Sequence, residues 1–347
     1  MNRTSLNLNY EPEVIVDTDT LSREDWLSYR KLGIGGSDVA AIMGISPFAT
    51  IRDLYNDKLG IEPLIEEESN WVAKEVGHRL EDLVAEIFSK KTGLTVFPVR
   101  KMFRHPLYPF MLADVDFFII FPDGSYGILE CKTCNYNARS KWEDGGIPDH
   151  YVLQVRHYLS VMNMDKAYIA CLYGNNENEF VVRPIDRDVM EEEEIISQEE
   201  YFWKEYVEKQ VEPPFNGKPD LILASIRKYG GYADKELPEI EISTLNSIDL
   251  EKYLTLSEEK SQLEKRKKEI EALQRELSVP FVEQLGASCK AVLSDGVSRY
   301  RITYNPIRRT QVGKDAMEKL KIQHPDIFEE YTRTTESRTF RVKKEAA

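Results

Sequence analysis

The sequence lacks three features, and each absence excludes a class of protein. No apolar stretch in its 347 residues approaches the roughly 18 residues that a membrane-spanning helix needs. Four cysteines are too few for a disulfide framework in a chain of this length, and the N-terminal residues lack a secretory signal pattern. We therefore expect a cytoplasmic protein without membrane contact. A formal net charge of −14 also argues against a protein that coats nucleic acid with a basic surface.

The cysteines also give little support to a zinc site. Cys131 and Cys134 have the spacing of zinc and redox motifs. A zinc ion would need two further ligands, but only Cys171 and Cys289 remain, and no pair of histidines lies nearby in the sequence. We expect these cysteines to be small side chains of strands.

Composition predicts a folded core and a division of the chain. Hydrophobic residues make up 41% of the sequence and charged residues 31%, as expected of a soluble protein with a core. A proline-rich break at 213–219 indicates a domain boundary just beyond it. We predict a lead-in over 1–20, a main domain over 21–220, and a C-terminal extension with a long helix and a small sheet over 221–347.

Hydrophobic periodicity and turn residues predict that helices and strands follow one another along the main domain. The predicted helices cover 21–30, 37–44, 50–58, 70–91, 148–162 and 186–210, with Ser22 and Ser37 as N-caps. The predicted strands cover 94–104, 110–121, 126–133, 166–173 and 179–184. In the extension, the pattern predicts a charged helix over 247–277, strands at 288–293 and 298–304, a helix at 313–321 and a terminal strand at 338–343. This order indicates an α/β domain followed by an α+β extension.

The most informative segment is a predicted hairpin over residues 110–132. An apolar run that carries Asp116 is followed by a Pro-Asp-Gly turn and by a second apolar run that ends in Glu130, Cys131 and Lys132. Because side chains alternate along a strand, Glu130 and Lys132 point to one face, and Asp116 on the facing strand can reach the same patch. Oxygen ligands hold Mg²⁺ and a lysine stabilises negative charge, so this set suits a metal beside a phosphate. The alternative is an ordinary surface hairpin with an exposed ion pair.

Two helical side chains could join this patch. Glu81, on the predicted helix 70–91, could supply a third carboxylate, and the alternative is an exposed helical glutamate. Gln154, on the predicted helix 148–162, could point into the site, and the alternative is an amide satisfied at a helix interface.

A glycine-rich loop over 33–37 is a candidate phosphate site. It precedes a short predicted helix, where backbone N–H groups attract anions. The loop lacks the Gly-Lys-Ser/Thr ending of a P-loop and the glycine spacing of a dinucleotide site, which leaves nucleotide hydrolysis with little support. A terminal DNA phosphate fits better, because Arg30 lies seven residues before Ser37.

Taken together, the order of these motifs resembles the YqaJ-like viral recombinases, relatives of phage lambda exonuclease within the PD-(D/E)XK nuclease superfamily. The resemblance covers about residues 22–210, and its motifs are Arg30, 35–38, 77–81, Asp116, 130–132 and 154–157. It implies an α/β fold with a PD-(D/E)XK nuclease core, in which helices flank a central mixed β-sheet.

The resemblance also implies a metal site. By position, Asp116, Glu130 and the backbone carbonyl of Cys131 would bind catalytic Mg²⁺, with Glu81 near a second ion. Two Mg²⁺ ions are expected, and Mn²⁺ is an expected substitute. Each of these roles is carried over from the family by position in the motif.

The same resemblance implies roles for four further residues. Lys132 would position the attacking water, and Gln154 would line the catalytic site. Arg30 and Ser37 would form the pocket for the 5′-phosphate end of DNA.

One position departs from the family pattern. Many relatives carry the first acid in a Ser-Pro-Asp-Gly turn, whereas this chain reads Ala-Asp-Val-Asp-Phe over 113–117. Asp114 therefore competes with Asp116 for the role of first metal ligand. Strand alternation puts both on one face and does not separate them. The spacing after Ala113 favours Asp116.

The function implied by the resemblance is digestion of linear double-stranded DNA from the 5′ toward the 3′ end, which exposes a 3′ single strand for recombination. It further implies a ring-shaped homotrimer, a single-strand annealing protein as partner, and a phage or prophage origin in a bacterial host. Two alternatives stay open. One is an endonuclease of the same superfamily that cuts internally. The other is a non-catalytic DNA-binding module, against which the intact Asp116, Glu130 and Lys132 argue.

Overall fold

The chain folds as two compact units, Met1–Ala233 and Asp234–Ala347. The computed structural model describes residues 6–65, 71–231, 233, 236–242, 247–310 and 312–332. The boundary differs from the predicted one, because the helix Pro219–Gly230 belongs to the first unit and not to the extension. The terminal strand predicted at 338–343 lies outside the described residues. None of the described helices is long and apolar enough to cross a membrane.

The first unit contains two β-sheets. Its strands are β1 Glu13–Asp17, β2 Ile34–Gly35, β3 Thr95–Phe97, β4 Lys101–Arg104, β5 Met111–Asp114, β6 Phe117–Ile120, β7 Tyr126–Thr133, β8 Lys166–Leu172 and β9 Phe180–Asp186. One sheet has the order β1-β4-β5-β2 and the other the order β3-β6-β7-β8-β9. In the five-stranded sheet β7 and β8 run parallel, whereas the other neighbours pair antiparallel. This sheet is therefore mixed, as predicted.

Helices surround both sheets. Those of the first unit are α1 Arg23–Arg30, α2 Val39–Ile42, α3 Ile51–Leu59, α4 Trp71–Thr92, α5 Asp149–Met162, α6 Val189–Tyr201 and α7 Pro219–Gly230. Shorter turns have other geometries, namely 3₁₀ at Gly36–Asp38 and Tyr136–Gly145 and π at Phe202–Val207. The π turn continues α6, so the predicted helix 186–210 is confirmed as a helical segment with a change of hydrogen-bond pattern at Phe202.

The predicted N-caps have different outcomes. Ser22 caps α1, because its hydroxyl accepts a hydrogen bond from the backbone N–H of Asp25. The prediction for Ser37 was wrong. Ser37 lies inside the 3₁₀ turn, and Gly35 occupies the cap position before it.

The five-stranded sheet is covered on both faces. On β7, Leu129 and Cys131 join an apolar cluster with Phe88 of α4. Ile128 points to the other face, into a cluster with Val155 of α5. Strands buried on both faces carry few charges, because an unpaired charge in such a place is costly. Any acid or lysine on this strand therefore needs a partner.

The structure divides each of two long predicted strands into a pair of shorter strands. The predicted strand 110–121 is divided into β5 and β6, which belong to different sheets. The predicted strand 94–104 is divided in the same way into β3 and β4. The chain therefore changes sheet between Asp114 and Phe117, and Asp116 lies at that crossing. Periodicity alone misses the change because both halves are apolar.

The second unit contains a long helix and a two-stranded sheet. Its elements are α8 Ser247–Leu285, β10 Lys290–Ser294, β11 Arg299–Thr303, α9 Lys314–Gln323 and α10 Pro325–Tyr331. β10 and β11 pair antiparallel. Helix α8 continues past the predicted end at residue 277 to Leu285, with Pro280 inside it. The sequence did not predict α10.

Candidate active site

A cavity of about 880 Å³ lies in the first unit and collects the side chains that the sequence singled out. All eight of the predicted site residues line it, together with Asp114. The eight are Arg30, Ser37, Glu81, Asp116, Glu130, Cys131, Lys132 and Gln154. They come from α1, a 3₁₀ turn, α4, the sheet crossing, β7 and α5, so only the tertiary fold brings them to one place.

Glu130 is the most enclosed acid of this cavity. It lies in the middle of β7 and is only 1% exposed. Its Oε1 accepts hydrogen bonds from Lys132 Nζ at 2.5 Å and from Gln154 Nε2 at 2.7 Å. Its buried Oε2 has no hydrogen-bond partner among the described residues. Burial raises the pKa of Glu130, against the opposing effect of Lys132.

Lys132 supplies the positive charge of the cavity next to Glu130. Burial alone would favour the neutral amine, but the negative charges of Glu130 and Asp116 outweigh it and raise the pKa of Lys132. Its ammonium group also lies 5.0 Å from the centre of the Tyr151 ring, within the range of a cation–π interaction. Lys132 is therefore a cation at neutral pH. It can donate hydrogen bonds to water or to a phosphate oxygen.

Asp116 and Asp114 have different partners because the chain changes sheet between them. Asp116 Oδ2 accepts a hydrogen bond from the backbone N–H of Cys131 at 2.8 Å. Burial and the charge of Glu130 raise the pKa of Asp116 to about 8. Asp114 Oδ2 accepts instead from Trp26 Nε1 at 2.6 Å. Both acids line the cavity, and Asp116 is the one held against β7.

Glu81 lies on α4, at the edge of the same cavity. It is partly exposed, and its carboxylate lies 3.5 Å from His78 Nδ1. Burial and the charge of Asp116 raise the pKa of Glu81 to about 7. The effect of Asp116 on Glu81, and of Glu130 on Asp116, indicates a cluster of negative charge that Lys132 balances only in part.

The donor set fits a hard divalent cation. Three carboxylates with raised pKa values lie around one cavity, and a buried oxygen of Glu130 lacks a partner. Among the described residues no three His, Cys, Asp or Glu side chains are close enough to hold an ion by themselves. Mg²⁺ commonly keeps several waters and takes one or two carboxylates plus substrate phosphates. Asp116 and Glu130, with the Cys131 carbonyl and Glu81, could therefore hold it.

Gln154 lies on α5, the helix that connects β7 to the parallel strand β8. It is 7% exposed, and its amide nitrogen donates to Glu130 Oε1 and to the Tyr158 hydroxyl at 3.3 Å. The neighbouring His157 does not reach the cavity. It is fully buried between Glu199, 2.7 Å from Nδ1, and the backbone carbonyl of Leu112, 2.8 Å from Nε2. Gln154 therefore belongs to the candidate active site, whereas His157 ties α5 to its neighbours.

Arg30 and Ser37 meet at another part of the cavity wall. Arg30 Nη2 donates to the Ser37 hydroxyl at 3.0 Å and to Asp38 Oδ1 at 3.0 Å. The predicted cradle of loop amides is only partly available. The N–H of Ile34 donates to the Phe110 carbonyl, and the N–H of Gly35 donates to Asp38 Oδ2. The side chains of Arg30 and Ser37 are thus the main donors on this wall.

The glycines of the loop have a steric function. A Cβ on Gly36 would lie 2.7 Å from the Tyr158 ring and 2.8 Å from the Gln154 carbonyl oxygen, so only glycine lets the turn pack against α5. A Cβ on Gly35 would lie 3.2 Å from Arg30 Nη2. The close approach of α5 therefore requires glycine at position 36, whereas a side chain at position 35 would need only a small shift of the flexible Arg30 guanidinium.

Comparison with known proteins identifies the family. The sequence model of the YqaJ-like viral recombinase domain matches residues 25–165. The chain is 32% identical over 334 residues to YqaJ of Bacillus subtilis strain 168, an uncharacterized protein, across 96% of this chain and 98% of that one. The chain belongs to the YqaJ-like viral recombinase family. The mixed five-stranded sheet with helices against both faces agrees with the α/β fold that the resemblance implied.

Two solved structures are similar to part of this chain. The alkaline exonuclease LHK-Exo of Laribacter hongkongensis is 20% identical, with a TM-score of 0.45, over 55% of this chain and 94% of that chain. A phage-related exonuclease of Haemophilus somnus 129PT is 14% identical, with a TM-score of 0.38, over 53% of this chain and 99% of that chain.

Sequence reasoning assigned no role to three residues that contact the predicted site residues: Trp26, which lines the cavity, and Asp38 and Lys58, which lie beside Arg30. Trp26 contacts Asp114, and its ring lies 5.2 Å from the Arg30 guanidinium carbon. Asp38 and Lys58 form ion pairs beside Arg30. The position of Asp38 directly after the Gly-Gly-Ser sequence could have indicated that its side chain belongs to the glycine loop. Nothing in the sequence connects Lys58 to the loop, because it lies on a different helix.

Among the described residues, the cysteines belong to no group of three His, Cys, Asp or Glu side chains placed to hold a metal ion. Cys131 and Cys171 are buried on β7 and β8, which fits the expectation of small strand residues. Cys134 follows β7, and its sulfur lies 3.5 Å from that of Cys171. All four cysteines are free thiols.

Proposed function

We propose that this protein is a divalent-metal-dependent exonuclease that degrades linear double-stranded DNA from 5′ to 3′. One observation carries the proposal: a single cavity contains both the acid–lysine group of a phosphodiesterase and an arginine–serine pair suited to a terminal phosphate. Membership of a viral recombinase family supports a role in exposing 3′ single strands for recombination.

The chain's own residues provide binding and charge. Asp116 and Glu130, with the Cys131 carbonyl and Glu81, would hold two Mg²⁺ ions, which supply a Lewis acid and a more acidic water. Lys132 donates to the attacking water or to a non-bridging phosphate oxygen, where negative charge develops during hydrolysis.

Gln154 orients the Glu130 carboxylate, and Arg30 orients the DNA end. Gln154 holds Oε1 of Glu130, which leaves the unpartnered Oε2 available for a ligand. Arg30 and the Ser37 hydroxyl bind the 5′-phosphate by charge-assisted hydrogen bonds. A DNA end bound in this way would bring a phosphodiester bond to the acids of the same cavity, which favours cleavage from an end.

The distinguishing experiment compares linear and covalently closed DNA. The purified protein should degrade a linearised plasmid in Mg²⁺ and leave the closed circle intact, with no activity in EDTA. Glu130→Ala, purified in parallel, is the matched control for contaminating nucleases. Nicking of the closed circle would support the endonuclease alternative. Metal-independent binding without turnover would support the non-catalytic module, against which the complete set of Asp116, Glu130 and Lys132 argues.

Polarity and assembly complete the proposal. If digestion runs 5′ to 3′, a label at the 5′ end of a strand should be released before a label at its 3′ end.

Processive digestion requires that the enzyme stay on DNA, and a homotrimeric ring around the duplex is our proposal for how it does so. The partner in a bacterial cytoplasm would be a single-strand annealing protein that loads onto the exposed 3′ strand, from a phage or prophage gene set.

A further inference from the structure

Two charged side chains, Asp38 and Lys58, lie behind the Arg30–Ser37 pair. Lys58, on α3, donates to Asp38 Oδ2 at 2.7 Å and to the backbone carbonyl of Arg30 at 3.1 Å. Asp38 Oδ1 accepts from Arg30 Nη2 at 3.0 Å, and its Oδ2 also accepts from the N–H of Gly35. One carboxylate therefore connects α1, α3 and the glycine loop.

The partners of this carboxylate favour its charged form. Burial would raise the pKa of Asp38, but the charges of Lys58 and Arg30 lower it to about 2. The Lys58 side chain is only 1% exposed, so this cation contacts Asp38 and not solvent. Two cations contact the buried Asp38, and a second acid, Asp57, lies 3.9 Å from Lys58 Nζ with its side chain 57% exposed. Because solvent screens the exposed Asp57, Lys58 and Arg30 together outweigh the one buried carboxylate, and the remaining positive charge can attract a phosphate.

The Arg30 guanidinium uses one nitrogen for these contacts. Within the described residues, the hydrogen bonds of its side chain to Ser37 and Asp38 both come from Nη2. A guanidinium has five N–H donors in a planar fork, so donors on the other nitrogens are available to a ligand. The Trp26 ring packs 5.2 Å from the guanidinium carbon and limits its rotation.

We infer that Asp38 and Lys58 are positioning residues that orient Arg30 toward a 5′-phosphate. This inference rests on the proposed function. Asp38 anchors Nη2 and fixes the plane of the fork. Lys58 neutralises Asp38, so that the carboxylate does not compete with the phosphate for the full charge of Arg30. Without Lys58, Arg30 and Asp38 would form a neutral pair with little attraction for an anion.

An effect of Lys58 on the choice of DNA end can be distinguished from an effect on the stability of the fold. A buried cation that only supports the fold would change the rates on all DNA ends together. A positioning residue changes the preference between ends, because it acts through Arg30, whose ligand is present on only one kind of end. The ratio of kcat/KM on 5′-phosphorylated and 5′-hydroxyl duplexes of the same sequence measures this preference directly.

The experiment uses two variants of the full chain. Lys58→Met removes the cation in a side chain of similar length, and Asp38→Asn/Lys58→Met removes both charges, which avoids an unpaired buried carboxylate. We expect the end-preference ratio to fall about tenfold in Lys58→Met, the size of one lost charge-assisted contact. The fall should be smaller in the double variant, because Arg30 there keeps its full charge and loses only its charged anchor. In both variants the change should appear as a higher KM for phosphorylated ends. The affinity ratio for the two ends, measured by fluorescence anisotropy in EDTA, should fall in parallel and does not depend on turnover.

A buried ion pair elsewhere provides the matched control. Arg187 and Glu192 pair at 2.9 Å with side chains 7% and 1% exposed, and neither lines the cavity. Arg187→Met/Glu192→Gln should keep the wild-type ratio. A fall in this control as large as in the test variants would overturn the inference, as it would assign the effect to general loss of stability.

The remaining outcomes separate the inference from the proposed function. Folded Lys58 variants that keep the wild-type ratios would overturn the positioning role and leave the phosphate pocket intact. A wild type with no preference in either rate or affinity would remove the pocket itself and the inference with it. Loss of preference in affinity without any nuclease activity would support the positioning role and refute the proposed chemistry.

Discussion

Asp116→Asn should abolish cleavage and yet stabilise the metal-free protein at alkaline pH. Burial and the charge of Glu130 raise the pKa of Asp116 to about 8 in the folded protein, whereas an aspartate in an unfolded chain has a pKa of about 3.9. The free energy of unfolding therefore falls as the pH rises from about 4, and the loss is complete above about 8. Asparagine avoids this charge, and its oxygen can still accept the hydrogen bond from the Cys131 N–H.

The size of the gain follows from the pKa difference. Each pKa unit corresponds to about 1.36 kcal/mol, so a difference of about four units sets an upper limit of about 5.5 kcal/mol. Water in the cavity screens part of the charge, so we expect a gain of about 2 kcal/mol in the free energy of unfolding at pH 8.5. At pH 6, midway between the two pKa values, the gain should be about half as large.

Tryptophan fluorescence during denaturation by urea can measure this gain. All four tryptophans, at positions 26, 71, 142 and 203, belong to the first unit, so the signal reports the unit that holds the cavity. In EDTA the gain of the variant should grow from pH 6 to pH 8.5. Mg²⁺ at a hundredfold excess over its dissociation constant should stabilise the wild type by about 2.7 kcal/mol and the variant much less.

Asp123 provides the control for Asp116→Asn. Asp123 is an exposed aspartate in the turn of the same hairpin, where it accepts hydrogen bonds from Ser125. Asp123→Asn should give no gain at either pH. If Asp116→Asn is no more stable than the wild type at pH 8.5, or gains equally at both pH values, the charge cluster around Asp116 is not as we describe it.

The remaining predictions concern activity. Glu130→Ala or Lys132→Ala should reduce cleavage by more than about a hundredfold while DNA binding persists, because each removes a charge needed in the transition state. Rates within about tenfold of the wild type for both would remove them from the site. Asp114→Asn should be milder than Asp116→Asn, because Asp114 binds the Trp26 indole. The reverse order in a cleavage assay would exchange their roles. Arg30→Ala should bring the expected preference for 5′-phosphorylated ends, about tenfold to hundredfold, close to one. Digestion rates on the two ends measure this, and an unchanged ratio would eliminate the phosphate pocket.

The hairpin of β6 and β7 was predictable because its signals are local. A Pro-Asp-Gly turn and two apolar runs define the pairing, and strand alternation puts Glu130 and Lys132 on one face. The same reasoning predicted most helices, whose periodic patterns are long enough to be distinctive. The errors occurred where short elements depend on distant partners, as at Ser37 and in the division of strand 110–121.

The sequence by itself determined which residue types are present and in which order, and that order identified the family and all eight candidate site residues. The tertiary structure decided which partners each of these residues has. Asp114 and Asp116 are two residues apart, and the change of sheet between them gives one an indole partner and the other the backbone N–H of Cys131. Lys58 reaches Asp38 through the packing of α3 against the loop, a contact between residues 20 positions apart. Local patterns cannot encode such contacts, because burial and ion pairing depend on groups that the folded chain brings from elsewhere.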